Sequence, residues 1–239
     1  MVEQPKVIDL RQEPASRVRS AAFYALRDLR RGERVTLLTA EEPTLILEAV
    51  NLQLRGHLAW TAFPEAGAWR AEVGLRADVP PRDVIDLLAR HHAWLDGLFA
   101  RALQLVNAGA VDQAAPLFAC FSAGLRAHIA VEDGVLAERL PVPTQPAGDD
   151  PLSIMLREHR EILSQLALLE RCLTPGAPEA AEAGAFFAIL SGTLAKHEHR
   201  EENNLFPLWS RGLADLPPEE RQRLLEDLQG RLPFADGSG

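Results

Sequence analysis

Two nine-residue segments of this chain carry the same chemistry. His128 to Leu136 reads HIAVEDGVL and His197 to Leu205 reads HEHREENNL, so both are His-x-x-x-Glu-acid-x-x-Leu. Side chains four apart stand on one side of a helix. Neutral imidazole nitrogen and carboxylate oxygen together suit iron, zinc or manganese. A second pair of segments, LLARHHAWL (Leu87 to Leu95) and MLREHREIL (Met155 to Leu163), each places a histidine four residues after its first apolar residue. His91 and His159 are 68 residues apart; His128 and His197, like Glu132 and Glu201, are 69 apart. The spacing reads as a duplicated helical hairpin whose histidines keep register. Six of the seven histidines lie between His91 and His199.

The faces agree with the spacing. His91 shares a helical face with Leu87, Leu88, Trp94, Leu95 and Leu98, and His159 with Met155, Leu156, Ile162, Leu163 and Leu166. His128 falls with Phe121, Leu125, Val131 and Val135, and His197 with Leu190, Leu194, Leu205 and Leu208. Glu132 and Glu201 lie on the same apolar stripes. A buried carboxylate without a partner is costly and ordinarily neutralises. Four histidines and two glutamates aimed into one core therefore call for a cation, and the glutamates could bridge two ions with two histidines on each. His92, one step round the helix with Asp96 four residues on, is read as solvated or as an outer partner. His199 reads as surface. Asp133 and Glu202 turn away from the histidine face, with Glu202 the reserve ligand. Cys120 and Cys172 read as packing residues.

The elements that must carry these residues follow from periodicity. After about Asp83 every long segment reads as helix: 83–107, 115–140, 150–173 with Asp150 as N-cap and Pro151 at the first helical position, and 180–209. Four helices of this length with short loops predict an all-α, up-down-up-down four-helix bundle over 82–212. A last helix, 218–228, stops at Gly230, and a tail FADGSG completes a C-terminal segment, 213–239. Residues 5–76 read differently. VIDL and RVTLLT are short strands, Ser16 to Leu29 and the segment after Pro43 are helices, and 57–63 and 68–75 form a hairpin about Pro64-Glu65-Ala66-Gly67. The order β-α-β-α-β-β predicts a small two-layer α/β domain with both helices on one face of a sheet. The proline-containing stretch RADVPPR joins the two domains.

Composition excludes other classes. The 239 residues carry a net charge of -9, which argues against an electrostatic nucleic-acid partner. No run reaches the roughly 18 uncharged residues of a membrane span, and MVEQPKVIDL has no basic segment followed by an apolar run. The expectation is a cytoplasmic protein without membrane association. Two cysteines cannot make a disulfide framework.

Residues of about 83–210 resemble a haemerythrin-like (HHE cation-binding) domain. The closing HEHREENNLFP, with Leu205-Phe206-Pro207, is similar to that family's signature on its last helix. The resemblance implies a four-helix bundle with a non-haem centre of two iron ions, zinc and manganese being the alternatives. Its ligands would be His91, His128, Glu132, His159, His197 and Glu201. The chain departs from the oxygen-carrying members at two places. Leu163 stands where they have a second histidine on the third helix, and Glu202, preceded by Glu201, stands where they end with an aspartate. The four-histidine, two-glutamate set is closer to the repair-of-iron-centres proteins, which act in nitrosative and oxidative stress. That implies handling of O2, NO or peroxide, or donation of iron to damaged centres. Residues 5–75 resemble a TusA-like domain, but RQEPAS stands where the sulfur carriers hold their cysteine. A docking or regulatory module for a protein partner is expected there. The competing expectation is a metal-stabilised binding module. An oxidase or peroxidase ranks last, because the one tyrosine, Tyr24, lies outside the bundle.

Overall fold

The computed structural model describes residues 6–30, 32–54, 57–174, 176–177, 182–232 and 234. The chain divides into two compact units, Met1–Pro80 and Pro81–Gly239. In the first, β1 (Lys6–Asp9), α1 (Ala15–Leu26), β2 (Arg34–Thr39), α2 (Thr44–Gln53), β3 (Leu58–Glu65) and β4 (Ala68–Leu75) follow the expected order. The sheet order is β1-β2-β4-β3, with β1 parallel to β2 and the other pairs antiparallel. Val35 pairs with Val73 and Leu37 with Ala71. Successive side chains in a strand alternate faces, so these four share one face. On it they bury Val18, Ala22 and Leu26 of α1 and Leu47 and Val50 of α2. The hairpin turn is tighter than the sequence indicates. Glu65 pairs with Ala68, leaving Ala66 and Gly67 as the turn, and Gly67 takes φ 71°. Pro64 is tolerated because β3 is an edge strand.

The second unit is helical. α3 (Val84–Asn107) opens on Asp83, whose side chain accepts from the Asp86 amide at 2.8 Å. Gly109, at φ 76°, turns the chain into α4 (Val111–Arg139), which begins four residues before the sequence reading. α5 (Pro151–Cys172) is capped by Asp150, which accepts from the Ser153 amide at 2.9 Å; such a cap contributes about 1 kcal/mol. α6 spans 183–214, α-helical over Ala183–Arg200, π-helical over Glu201–Leu205 and α-helical again over Phe206–Ala214. α7 (Pro218–Arg231) runs through Gly230 instead of stopping there. α3 packs on α4, α4 on α5, α5 on α6 and α6 on α3, which closes the four-helix ring. In the tail only Phe234 lies among the described residues.

The core of this ring is not continuous. One apolar cluster, around Leu87, Leu88, Leu136, Met155, Phe206 and Trp209, includes Leu224, Leu225 and Leu228 of α7. Another, around Leu95, Phe99, Phe118, Phe121, Ile162, Leu166 and Phe187, fills the opposite end. Between them lies a polar layer of His91, His92, His128, Glu132, His159, His197 and Glu201, each no more than 4% exposed. By length and composition α4 is apolar enough to cross a membrane, and half of its apolar stretch is buried inside the fold.

The α3–α4 approach depends on Gly124, where a Cβ would stand 2.6 Å from the Trp94 ring and 2.9 Å from Leu95 Cδ2. Overpacking of this kind costs about 1–3 kcal/mol, against about 0.5–1 kcal/mol gained by replacing a helical glycine with alanine. Gly124→Ala is expected to lower the unfolding free energy by about 1 kcal/mol, read from denaturant titration of the full chain.

Candidate metal centre

Each half of the polar layer is built by a histidine one turn before a glutamate. His128 and Glu132 end the regular part of α4, and His197 and Glu201 end that of α6. At both glutamates the helix widens into a π turn, Glu132–Leu136 and Glu201–Leu205. The amides of Ala137 and Phe206 donate five residues back, to the carbonyls of Glu132 and Glu201. The π turns thus repeat at the same 69-residue interval as the motif. The extra residue lets the stripe that carries the histidine and glutamate, and the stripe that follows, both face the core. Single π turns inside α-helices are rare and favour functional sites. Pro207, which has no amide hydrogen to donate to the Asn203 carbonyl in a regular helix, is a sequence signal for the second π turn. Nothing comparable marks the first.

Four imidazoles turn their Nε2 atoms to these two carboxylates. Glu132 has Oε1 3.3 Å from His128 Nε2 and Oε2 3.4 Å from His159 Nε2. Glu201 has Oε2 3.4 Å from His92 Nε2, and Oε1 3.1 Å from His197 Nε2 and 3.5 Å from His159 Nε2. Two groups result, His92, His128, Glu132 and Glu201, and Glu132, His159, His197 and Glu201; in each, one ligand atom per residue lies within 4.8 Å of all the others. Both glutamates belong to both groups. Within them His92 and His128 place their Nε2 atoms 2.9 Å apart, and His159 and His197 3.2 Å apart. All four carboxylate oxygens are buried without a hydrogen-bond partner. A buried ion costs several kcal/mol unless paired and fully hydrogen-bonded. Two nitrogens and two carboxylate oxygens per group form a donor set that fits a divalent transition metal, and a cation between them satisfies all four oxygens.

The outer Nδ1 atoms are held as well. His159 Nδ1 is 2.7 Å from Asp133 Oδ1, His197 Nδ1 is 3.3 Å from Glu158 Oε2, and His92 Nδ1 is 3.4 Å from Glu202 Oε1. Glu158 is also ion-paired with Arg200. Such partners fix the tautomer that leaves Nε2 free to bind. His128 differs, with Nδ1 3.0 Å from His91 Nδ1 and the two rings stacked at an interplanar angle of 3°. His91 packs in turn against Trp94 and Phe234.

Of the six residues expected from the sequence, the structure brings together His128, Glu132, His159, His197 and Glu201. It does not bring His91 into either group. His92 stands there instead, buried rather than solvated, and His91 backs His128. Helical periodicity does not separate the two, because the buried arc of α3 is wide enough for both. Leu87, Leu88, Leu95, Leu98, Phe99 and Ala102 are all buried beside them. The near-constant 68- and 69-residue spacings point to His91, because His92 lies only 67 before His159. Asp133 and Glu202 do leave their own histidine's face, but each meets a histidine of another helix. His199 is exposed and contacts Asn203 within its own helix.

Electrostatics show how tightly the layer is coupled. Burial works against the charged form of His92, but Glu201 and Glu202 outweigh it and hold the group well above 6.5. For His159, burial is likewise overcome, by Asp133, Glu132 and Glu201, and the group is pushed up to about 11. His197 is lowered, burial prevailing over Glu201 and Glu132. Glu132 is held well below 4.5: burial raises it, and His128 and His159 more than compensate. Burial lifts Glu198, beside this layer, to about 8. Without metal, His159 thus carries its proton at neutral pH, ion-paired with Asp133. A metal ion must displace that proton. Metal affinity is expected to rise with pH up to His159's raised value of about 11, with proton release on loading at neutral pH. An indicator-dye titration checks this; metal uptake without proton release at pH 7 would contradict it. For the metal-free fold the sign is opposite. The stability contributed by His159 is complete below its ordinary 6.5 and is lost as pH rises through about 11.

A family model described as the hemerythrin HHE cation binding domain matches residues 83–209, which is 127 of the 239 residues. The match begins at the N-cap of α3 and ends in the last stretch of α6, so it spans the whole ring and both groups. No curated protein and no solved structure matches the chain. The chain belongs to the hemerythrin HHE cation-binding family.

Proposed function

We propose, for this member of the hemerythrin HHE cation-binding family, a non-haem di-iron centre. It would be held by His92 and His128 on one side and His159 and His197 on the other, with Glu132 and Glu201 shared. The observation that carries the reading is the set of four buried carboxylate oxygens, each without a hydrogen-bond partner and facing histidine Nε2 atoms. Iron in such a site supplies redox cycling and open coordination positions for a diatomic ligand. The chain's own part is to hold the imidazoles by Nδ1, keep the glutamates ionised and exclude bulk water with apolar clusters on both sides. Leu163, partly buried against one of those clusters, offers no further nitrogen to the His159 side. This favours handling of O2, NO or peroxide, or donation of iron for repair of damaged centres, over reversible oxygen carriage. The protein reduced without oxygen and then mixed with NO or O2 is expected to change its visible spectrum rapidly, with amplitude proportional to bound iron. An unchanged spectrum in iron-loaded protein would sink this reading.

A second reading has one observation in its favour, the separate compact α/β unit, Met1–Pro80. In it the metal stabilises the bundle, and the α/β unit docks a protein partner. Stable zinc at full occupancy, with no response to NO or O2, is the outcome that reading expects.

A further inference from the structure

The two sides of the polar layer differ in what covers them. On the His92–His128 side, His91 is fully buried behind His128 and is packed by Trp94 and by Phe234 from beyond α7, ring centroids 5.0 and 5.1 Å away. On the other side a pocket of about 230 Å³ lies between the start of α5 and the second π turn of α6. Asp149, Asn204 and Arg200 are exposed at its rim, Glu158 is largely buried, and Glu201, 1% exposed, lines it too. Three carboxylates therefore mark the pocket at falling exposure, Asp149, Glu158 and Glu201. The last has both oxygens buried without a hydrogen-bond partner. Arg200 is the one basic side chain among the lining residues, and it is ion-paired with Glu158, which also holds His197 Nδ1.

We propose that this pocket is the entry route for a divalent metal ion, on the His159–His197 side, with the Glu158–Arg200 ion pair as its gate. Carboxylates in sequence let a hydrated cation exchange water for oxygen ligands one at a time. An acidic cleft also concentrates cations and raises their capture rate. The Arg200 guanidinium opposes that capture while it sits on Glu158. The inference rests on the metal-centre reading and adds the direction of loading to it.

The test follows Co2+ uptake by the metal-free full chain in its visible absorption, with release measured under excess chelator. Asn204→Trp covers the exposed rim without touching the core, and is expected to slow uptake on the order of tenfold at unchanged final stoichiometry. Arg200→Ala opens the gate and is expected to speed both uptake and release severalfold. Phe234→Ala, at the opposite side, is expected to leave the uptake rate unaltered. Rates unchanged in Asn204→Trp and Arg200→Ala, or faster uptake in Phe234→Ala, would overturn the route while leaving the metal centre standing. No Co2+ binding by any form would overturn the centre itself, and the route with it.

Discussion

Glu132→Ala or Glu201→Ala should each strip both metal ions from the chain, whereas replacing any single histidine should loosen mainly one. Each carboxylate belongs to both ligand groups, with Glu132 reaching His128 through one oxygen and His159 through the other. Glu201 spans His92 and His197 in the same way. Each imidazole belongs to one group. Losing a shared carboxylate also removes negative charge that offsets both cations, so either ion would have only one acidic ligand in a buried layer. His92→Ala should reduce iron to about one ion per chain, reversing the solvated role that its sequence neighbourhood suggests. His91→Ala should weaken binding by about 10–100-fold, as loss of an outer partner does, while His199→Ala leaves metal content unchanged. Elemental analysis after anaerobic reconstitution decides among these outcomes. Two irons retained in both glutamate variants would refute the shared-carboxylate assignment.

Removing the metal should lower stability substantially without unfolding the helices. The polar layer interrupts the core, but each apolar cluster is extensive in its own right and ties all four helices of the ring. Helicity should therefore survive chelation. A ligand that binds only the folded state stabilises it by about 2.7 kcal/mol when its free concentration is about 100 times Kd. Two ions at that excess would give roughly twice as much. Thermal unfolding followed by circular dichroism, with and without chelator, should show equal starting helicity and a clearly lower midpoint without metal. Coincident unfolding curves would show that the layer gains nothing from a cation. Loss of helicity on chelation would show that the two clusters cannot hold the ring alone.

Sequence and structure agree wherever a local rule had one outcome. The α/β order emerged because β-branched runs, turn residues and helical spacing all pointed the same way. Asp150 capped α5 because an aspartate followed by proline at the first helical position leaves little alternative. The His-x-x-x-Glu repeat contains four of the six residues that meet, and the second pair of segments contains a fifth, His159. What stayed hidden needed three dimensions. Choosing His92 over His91 depends on the rotation of α3, and both histidines sit on one broad buried arc. The partnership of Asp133 with His159 joins α4 to α5, and that of Glu202 with His92 joins α6 to α3, so no spacing within one helix reports them. The π turns are a compromise between two stripes on one helix and leave almost no mark in composition. The Gly230 stop failed because Leu224, Leu225 and Leu228 bury α7 against the bundle, and that packing outweighs the roughly 1 kcal/mol cost of a helical glycine.

The proposed function stands or falls on a coupled pair of iron ions in this layer. Its most direct test is Mössbauer spectroscopy of the full chain reconstituted without oxygen and then oxidised, with iron counted on the same sample. The expected result is two irons per chain in a single diamagnetic ground state, the sign of two ferric ions coupled through shared ligands. One iron per chain, or two that behave as isolated paramagnetic ions, would contradict it.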